Sequence, residues 1–191
     1  MEYNNHPNWL YKVISVDNLE AIQKELLPVL YREIPNFEID KSQFVYVLRE
    51  KIEPYTPLYV DFIRSLGILD RWHYSAFITT NTNSLPVHVD SLDWQTRCYG
   101  LNLPLVNCEG TYTIFYNAEI NEEQYRNSND SKSTARLIKP NSIPIEIDRV
   151  ESTTTMWINT CIPHAPVSTH SKPRAIISAR FRPEVHDLIW E

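Results

Sequence analysis

The sequence predicts a mainly β fold with flanking helices, built as an antiparallel sandwich or barrel. Three observations carry this expectation. From residue 72 onward, about seven short runs rich in β-branched and aromatic residues follow one another. Prolines and Asn-rich links separate them, and no link holds a helical pattern long enough for a parallel crossover. Clear helical signals are confined to the residues before 70.

In chain order, the segment DNLEAIQKELLPVLYREI sets Leu19, Ile22, Leu26 and Leu30 at helical spacing, with Asp17 and Glu20 in capping-box positions. Pro28 removes one backbone donor, which predicts a kink or a division there. The next segment, SQFVYVLREKI, reads as either helix or strand. A second helix is predicted from Pro57, capped by Thr56, to Gly67, a residue suited to the left-handed turn that closes a helix. The predicted strands cover 72–80, 97–106, 111–116, 135–138, 143–147, 154–158 and 174–181. The polar stretch NEEQYRNSNDSKS at 121–133 reads as a solvated loop, with a lid as the functional alternative. At 191 residues the chain fits one structural domain, a helical segment 1–70 packed on a barrel spanning 71–191.

Composition excludes several functions. A formal net charge of −6 argues against binding a nucleic-acid backbone. The only glycines, Gly67, Gly100 and Gly110, lie too far apart to form a phosphate loop, a dinucleotide fingerprint or a nucleophile elbow. Cys98, Cys108 and Cys161 are odd in number and lack C-x-x-C spacing, so neither a disulfide framework nor a structural zinc site is expected. No 18 apolar residues occur in succession, and the polar start has no apolar run behind a basic one. The expectation is a soluble, reduced, cytoplasmic protein without a membrane partner.

The chemistry gathers around His88-Val89-Asp90, the one His-x-Asp in the chain. That triplet alone is a weak signal, but two others agree with it. His164 lies 76 residues on, after strand-like sequence, and Arg174 follows it by ten residues at the head of the last predicted strand. Two imidazoles and one carboxylate on one face of a metal leave three coordination positions open, the arrangement used by non-haem Fe(II) oxygenases. Residues two apart in an extended segment project to one side, so His88 and Asp90 can chelate one ion while a distant strand brings His164 against it. Arg174 offers a planar fork of donors for the far carboxylate of a dicarboxylic cosubstrate.

The segments PVHVDSLDWQTRCYGLNLPLVNCEGTYTIFY and INTCIPHAPVSTHSKPRAIISARF resemble the 2-oxoglutarate- and Fe(II)-dependent oxygenases, in the group that holds the prolyl hydroxylase-like and aspartyl/asparaginyl hydroxylase-like enzymes. The resemblance covers the second half of the chain. It implies a double-stranded β-helix, that is, a cupin-like jelly roll, with helices on one outer face. It further implies metal ligands at His88, Asp90 and His164, the distal carboxylate of 2-oxoglutarate on Arg174, and Fe(II), 2-oxoglutarate and O2 as the reacting set. The implied activity is a dioxygenase hydroxylating an amino-acid or peptidyl side chain. The alternatives are a cupin-like metal enzyme that does not use 2-oxoglutarate and a non-catalytic jelly-roll binding module.

Three further assignments bear on the cosubstrate. His170 also has an arginine ten residues later, Arg180, but it sits among Ser168, Thr169, Ser171 and Lys172 in turn-like sequence, so His164 is preferred. Arg180 lies six residues beyond Arg174 and shares its side of the strand, where it either helps hold the cosubstrate or forms a salt bridge. Arg97 and Asn102 are five apart, and a regular strand cannot aim both at the metal. The resemblance favours Arg97 as a carboxylate contact, while the small face of Cys98, Gly100 and Asn102 favours Asn102, and the register stays open. Tyr74, Tyr99 and Trp94 are further candidates for packing around cosubstrate or substrate, with plain core as the alternative.

Overall fold

The computed structural model describes residues 10–35, 43–80, 85–90, 99–121 and 135–181. The chain runs through β1 (Tyr11–Val13), α1 (Leu19–Glu33), β2 (Gln43–Leu48), α2 (Arg49–Ile52), α3 (Pro57–Ser65), β3 (Trp72–Thr80), β4 (His88–Val89) and β5 (Tyr99–Val106). It continues through β6 (Thr111–Asn117), β7 (Arg136–Leu137), β8 (Ile145–Glu151), β9 (Met156–Asn159), β10 (His164–Ser168) and β11 (Arg174–Phe181). The strands form a six-stranded sheet of order β1-β9-β5-β11-β3-β2 and a five-stranded sheet of order β7-β4-β10-β6-β8. Every pairing is antiparallel. From β3 to β6 and again from β8 to β11 each link carries the chain from one sheet to the other. That winding is a double-stranded β-helix, the jelly roll expected from the sequence.

The larger sheet buries both faces, and the pleat decides what each face holds. On β11, Ala175, Ile177, Ala179 and Phe181 join Ile22, Leu26 and Leu30 of α1 and Tyr59 and Ile63 of α3 in the main core. The alternate positions look between the sheets, where Ile176 packs with Ala76, Ile78 and Cys108. Residues before 71 supply two edge strands as well as the helices: β1 pairs with β9, and β2 pairs with β3. The ambiguous segment thus splits into strand 43–48 and a short helix from 49.

Three local expectations fail for identifiable reasons. The Asp17–Glu20 capping box does not form. Asn18 takes the N-cap position with φ 61° and makes no side-chain cap bond, while Glu20 pairs with Lys24 at 2.7 Å. Pro28 does not divide α1, which is one helix from Leu19 to Glu33. Pro28 and Lys24 both lie on the exposed face, so the carbonyl deprived of its donor can be hydrated. The second helix closes as expected at Gly67, with φ +70°, although Thr56 donates its hydroxyl to the Ile52 carbonyl at 3.0 Å instead of capping.

Phe77 is fully buried on the helix-facing side of β3, so Phe77→Ala should cost about 3–5 kcal/mol in chemical denaturation. Ile145→Ala removes an exposed side chain from edge strand β8 and should change stability by no more than about 0.5 kcal/mol.

Candidate metal centre

His88 and His164 meet because β4 and β10 are neighbours in the smaller sheet and these two residues are direct register partners. Their ring centroids are 4.7 Å apart. Asp90 follows β4, and its backbone N–H is tied to the Thr160 carbonyl at 2.8 Å, just upstream of β10. Ligand atoms of His88, Asp90 and His164 all fall within 4.8 Å of one another.

The backbone orients both imidazoles so that they could bind a metal. His88 Nδ1 donates to the Pro86 carbonyl at 2.8 Å, and His164 Nδ1 donates to the Ile162 carbonyl at 2.8 Å. A carbonyl only accepts, so Nδ1 carries a proton in each ring, and whenever a ring is neutral its Nε2 turns a lone pair to the cluster. Burial, helped by the neighbouring His88, pushes His164 down to about 4, which keeps it neutral near pH 7. For Asp90, burial acts to raise the pKa, but the Arg180 charge and the His88 hydrogen bond outweigh it and hold the carboxyl well below its usual range. Burial likewise opposes charge on His88, and Asp90 overrides it and raises that pKa. A divalent metal binds a charged carboxylate and neutral imidazoles, so it would take the place of any Nε2 proton that His88 shares with Asp90.

A narrow cavity leads from these three residues to Arg174 and is also lined by Asn102, Thr113, Ile78, Ile158 and Ile176, with about 40 Å³ of free space. Arg174 is 3% exposed, donates from Nη1 to Ser152 Oγ at 2.8 Å, and leaves Nε without a partner. Among the described residues no carboxylate pairs with it. Asn102 Oδ1 and Ser178 Oγ are buried and unpartnered as well. An unmet guanidinium N–H at one end and two imidazoles with a carboxylate at the other form a donor set suited to a metal ion joined to an anion.

The structure thus gathers His88, Asp90, His164, Arg174, Asn102 and Arg180 around one cavity. Arg180 is turned onto the candidate ligand cluster, with Nη1 2.9 Å from Asp90 Oδ2. Asn102 lines the site, while Arg97 and Trp94 lie outside the described residues. His170 is elsewhere. Its Nε2 donates to the Glu109 carbonyl and its Nδ1 accepts from the Lys172 N–H, beside a wider cavity of about 540 Å³. Side chains around that wider space, Gln23 and Asn107, spend their amides on the carbonyls of Pro104 and Pro173, so the larger void offers less chemistry than the narrow one. Tyr99 faces the helices and belongs to the core. Tyr74 is the register partner of Arg180 and packs edge-on with Tyr46, centroids 5.5 Å apart.

Sequence reasoning missed Ser152 and Ser178. Ser178 was readable, since it shares the face of Arg174 and Arg180 by strand alternation. Ser152 was not, because it reaches Arg174 only through tertiary contact. Cys161 is disulfide-bonded, at odds with the expectation of three reduced thiols, because pairing follows Cα separation in the fold and not spacing in the chain. Cys108 is free and buried. No helix among the described residues is long and apolar enough to cross a membrane.

Solved structures share this architecture at low identity. A Pseudomonas putida prolyl-4-hydroxylase matches with a TM-score of 0.50 and 12% identity, over 92% of this chain and 93% of that one. SnoK, a non-heme alpha-ketoglutarate-dependent carbocyclase from nogalamycin biosynthesis, matches at 0.51 and 15%, over 91% and 80% of the two chains. HygX from Streptomyces hygroscopicus, solved with nickel and 2-oxoglutarate bound, matches at 0.50 and 13%, over 91% and 82%. What the chain shares with them at these identities is the fold. No family model and no curated protein matches the sequence.

The geometry predicts a single divalent-metal site. His88→Ala, Asp90→Ala and His164→Ala should each lose bound Mn(II) or Zn(II) in equilibrium dialysis, and His170→Ala should retain it. Retention by His164→Ala together with loss by His170→Ala would reverse the assignment.

Proposed function

We propose that the protein is a non-haem Fe(II)- and 2-oxoglutarate-dependent oxygenase acting on an amino-acid or peptidyl side chain. The observation that carries this reading is Arg174, a buried cation without a carboxylate partner among the described residues, at the far end of the cavity that begins at the three ligand atoms. A purely structural metal site has no use for such a charge, and a cupin-like enzyme without a diacid cosubstrate leaves its burial uncompensated. The fold also supports it. Two of its structural neighbours are described as alpha-ketoglutarate dependent or as holding 2-oxoglutarate.

His88, Asp90 and His164 would hold Fe(II), with both Nε2 atoms presented by backbone-bound rings and Asp90 supplying the negative charge. With 2-oxoglutarate bound beside it, that metal supplies O2 activation coupled to conversion of the cosubstrate to succinate and CO2, the second oxygen atom going to a substrate C–H bond. Arg174 anchors the distal carboxylate, and Ser152 fixes one edge of its guanidinium while Nε remains available. Ile78, Ile158 and Ile176 keep the space between metal and anchor apolar and short of water. The free space is that of a few water molecules at most, so a five-carbon diacid enters as the surrounding side chains move apart. A carbocyclase and an epimerase are among the structural neighbours, which supports a reading in which the substrate and the loops that present it decide the product.

With Mn(II) bound in place of iron, calorimetry should show 2-oxoglutarate binding to the wild-type protein. Arg174→Ala should keep the metal and lose at least about tenfold in 2-oxoglutarate affinity, since each charge-assisted hydrogen bond contributes about 1.5–3 kcal/mol. Unchanged affinity in Arg174→Ala would contradict the assignment. The same burial makes Arg174 a stability liability in the metal-free protein. Arg174→Met should therefore raise stability there by about 1 kcal/mol or more while abolishing cosubstrate binding.

A further inference from the structure

The two oxygens of Asp90 have different neighbours. Oδ1 lies 3.5 Å from His88 Nε2, and Oδ2 lies 2.9 Å from Arg180 Nη1. Both side chains of the ion pair are largely buried, 13% exposed for Arg180 and 22% for Asp90. Arg180 comes from the larger sheet and Asp90 from the end of a strand in the smaller one, so the pair bridges the two layers at the metal cluster.

The guanidinium reaches Asp90 by crossing the neighbouring strand at Gly100, the register partner of Arg180. A Cβ at Gly100 would stand 2.9 Å from Arg180 Nη1, 3.3 Å from its Cζ and 2.9 Å from Ser178 Oγ. Gly100 does not have a positive φ, so its lack of a side chain serves space and not backbone conformation. Two positions on adjacent strands, one without a side chain and one with the longest cation, thus set one carboxylate oxygen.

We infer that Arg180 is a positioning residue that restricts Asp90 to one-oxygen metal ligation, and that Gly100 is the clearance it needs. By holding Oδ2, Arg180 leaves Oδ1 alone for the metal and keeps a coordination position from being filled by the second oxygen. That position is one that a chelating cosubstrate requires. The inference rests on the proposed function, since it presupposes a metal on His88, Asp90 and His164. It gives Arg180 a task different from that of Arg174: the first shapes the ligand, the second takes the cosubstrate's far end.

The test uses the full chain loaded with Co(II), whose visible absorption reports coordination number and geometry without turnover. Wild-type protein, Arg180→Ala, Arg180→Lys and Gly100→Ala are compared for Co(II) stoichiometry, absorption spectrum and 2-oxoglutarate affinity. Gly100→Ala displaces the far end of a flexible side chain while keeping every charge, which guards against Arg180→Ala failing to fold. The expected result is full Co(II) occupancy in all four, the same spectral change in Arg180→Ala and Gly100→Ala, and 2-oxoglutarate binding weaker in both by about tenfold or more, or 1.4 kcal/mol per tenfold. Arg180→Lys should fall between them and the wild type. Wild-type spectra and affinities in both Arg180→Ala and Gly100→Ala overturn the inference and leave the metal site standing. Failure of the wild-type protein to bind Co(II), or binding that survives His164→Ala, overturns the proposed function and this inference with it.

Discussion

The pleat of β11 is the constraint on which the rest of the molecule depends. One face of this strand, Ala175, Ile177, Ala179 and Phe181, is committed to the helix-packed core. Strand alternation then leaves no choice for Arg174, Ile176, Ser178 and Arg180, which must look between the sheets. A one-residue slip would place two guanidinium groups in the main core and four apolar residues in the site, so register is specified from both sides at once. The central position of β11, flanked by β5 and β3, fixes that register against two neighbours and puts both arginines opposite the strands that carry the histidines.

The two arginines solve the problem of burial differently. Arg180 is compensated within the protein by Asp90, and each partner's charge favours ionisation of the other. Arg174 donates to a neutral hydroxyl, that of Ser152, and burial lowers its pKa. A fold selected for stability alone would place an apolar side chain there. Keeping an uncompensated cation in the interior is intelligible if a carboxylate arrives from outside, as the proposed function requires. The histidines complete the argument from the opposite end. Their Nδ1 protons are committed to carbonyls two residues upstream, so the same local backbone shape serves both ligands.

Much of this was legible in the sequence because alternation and spacing are local properties. The strands 72–80 and 174–181 have the bounds their apolar runs predict, and spacing, side-chain projection and the family resemblance together singled out His88, Asp90, His164 and Arg174, which the fold gathers around one cavity. Strands β1 and β4 went unread because three and two residues hold no periodicity, and β10 because Pro166 interrupts it. Those short strands owe their state to partners far away in sequence. The pairing of Asn102 with Ser178 places Asn102 on the inner face, while Arg97 lies outside the described residues. The task of Gly100 was unreadable for the same reason: the atom it makes room for belongs to a residue 80 positions later. Local capping patterns were the least informative signals, since the start of α1 is set by Asn18 in a left-handed conformation and not by the box at Asp17.

The central claim is that one cavity holds a metal at one end and a dicarboxylate's far end at the other. Anomalous diffraction from crystals grown with Mn(II) and 2-oxoglutarate tests it most directly. The account predicts one manganese peak at coordination distance, about 2.0–2.3 Å, from His88 Nε2, Asp90 Oδ1 and His164 Nε2, with the diacid chelating it and its other carboxylate on Arg174. A manganese peak at His170, or a diacid bound away from Arg174 with no metal beside it, would contradict the account.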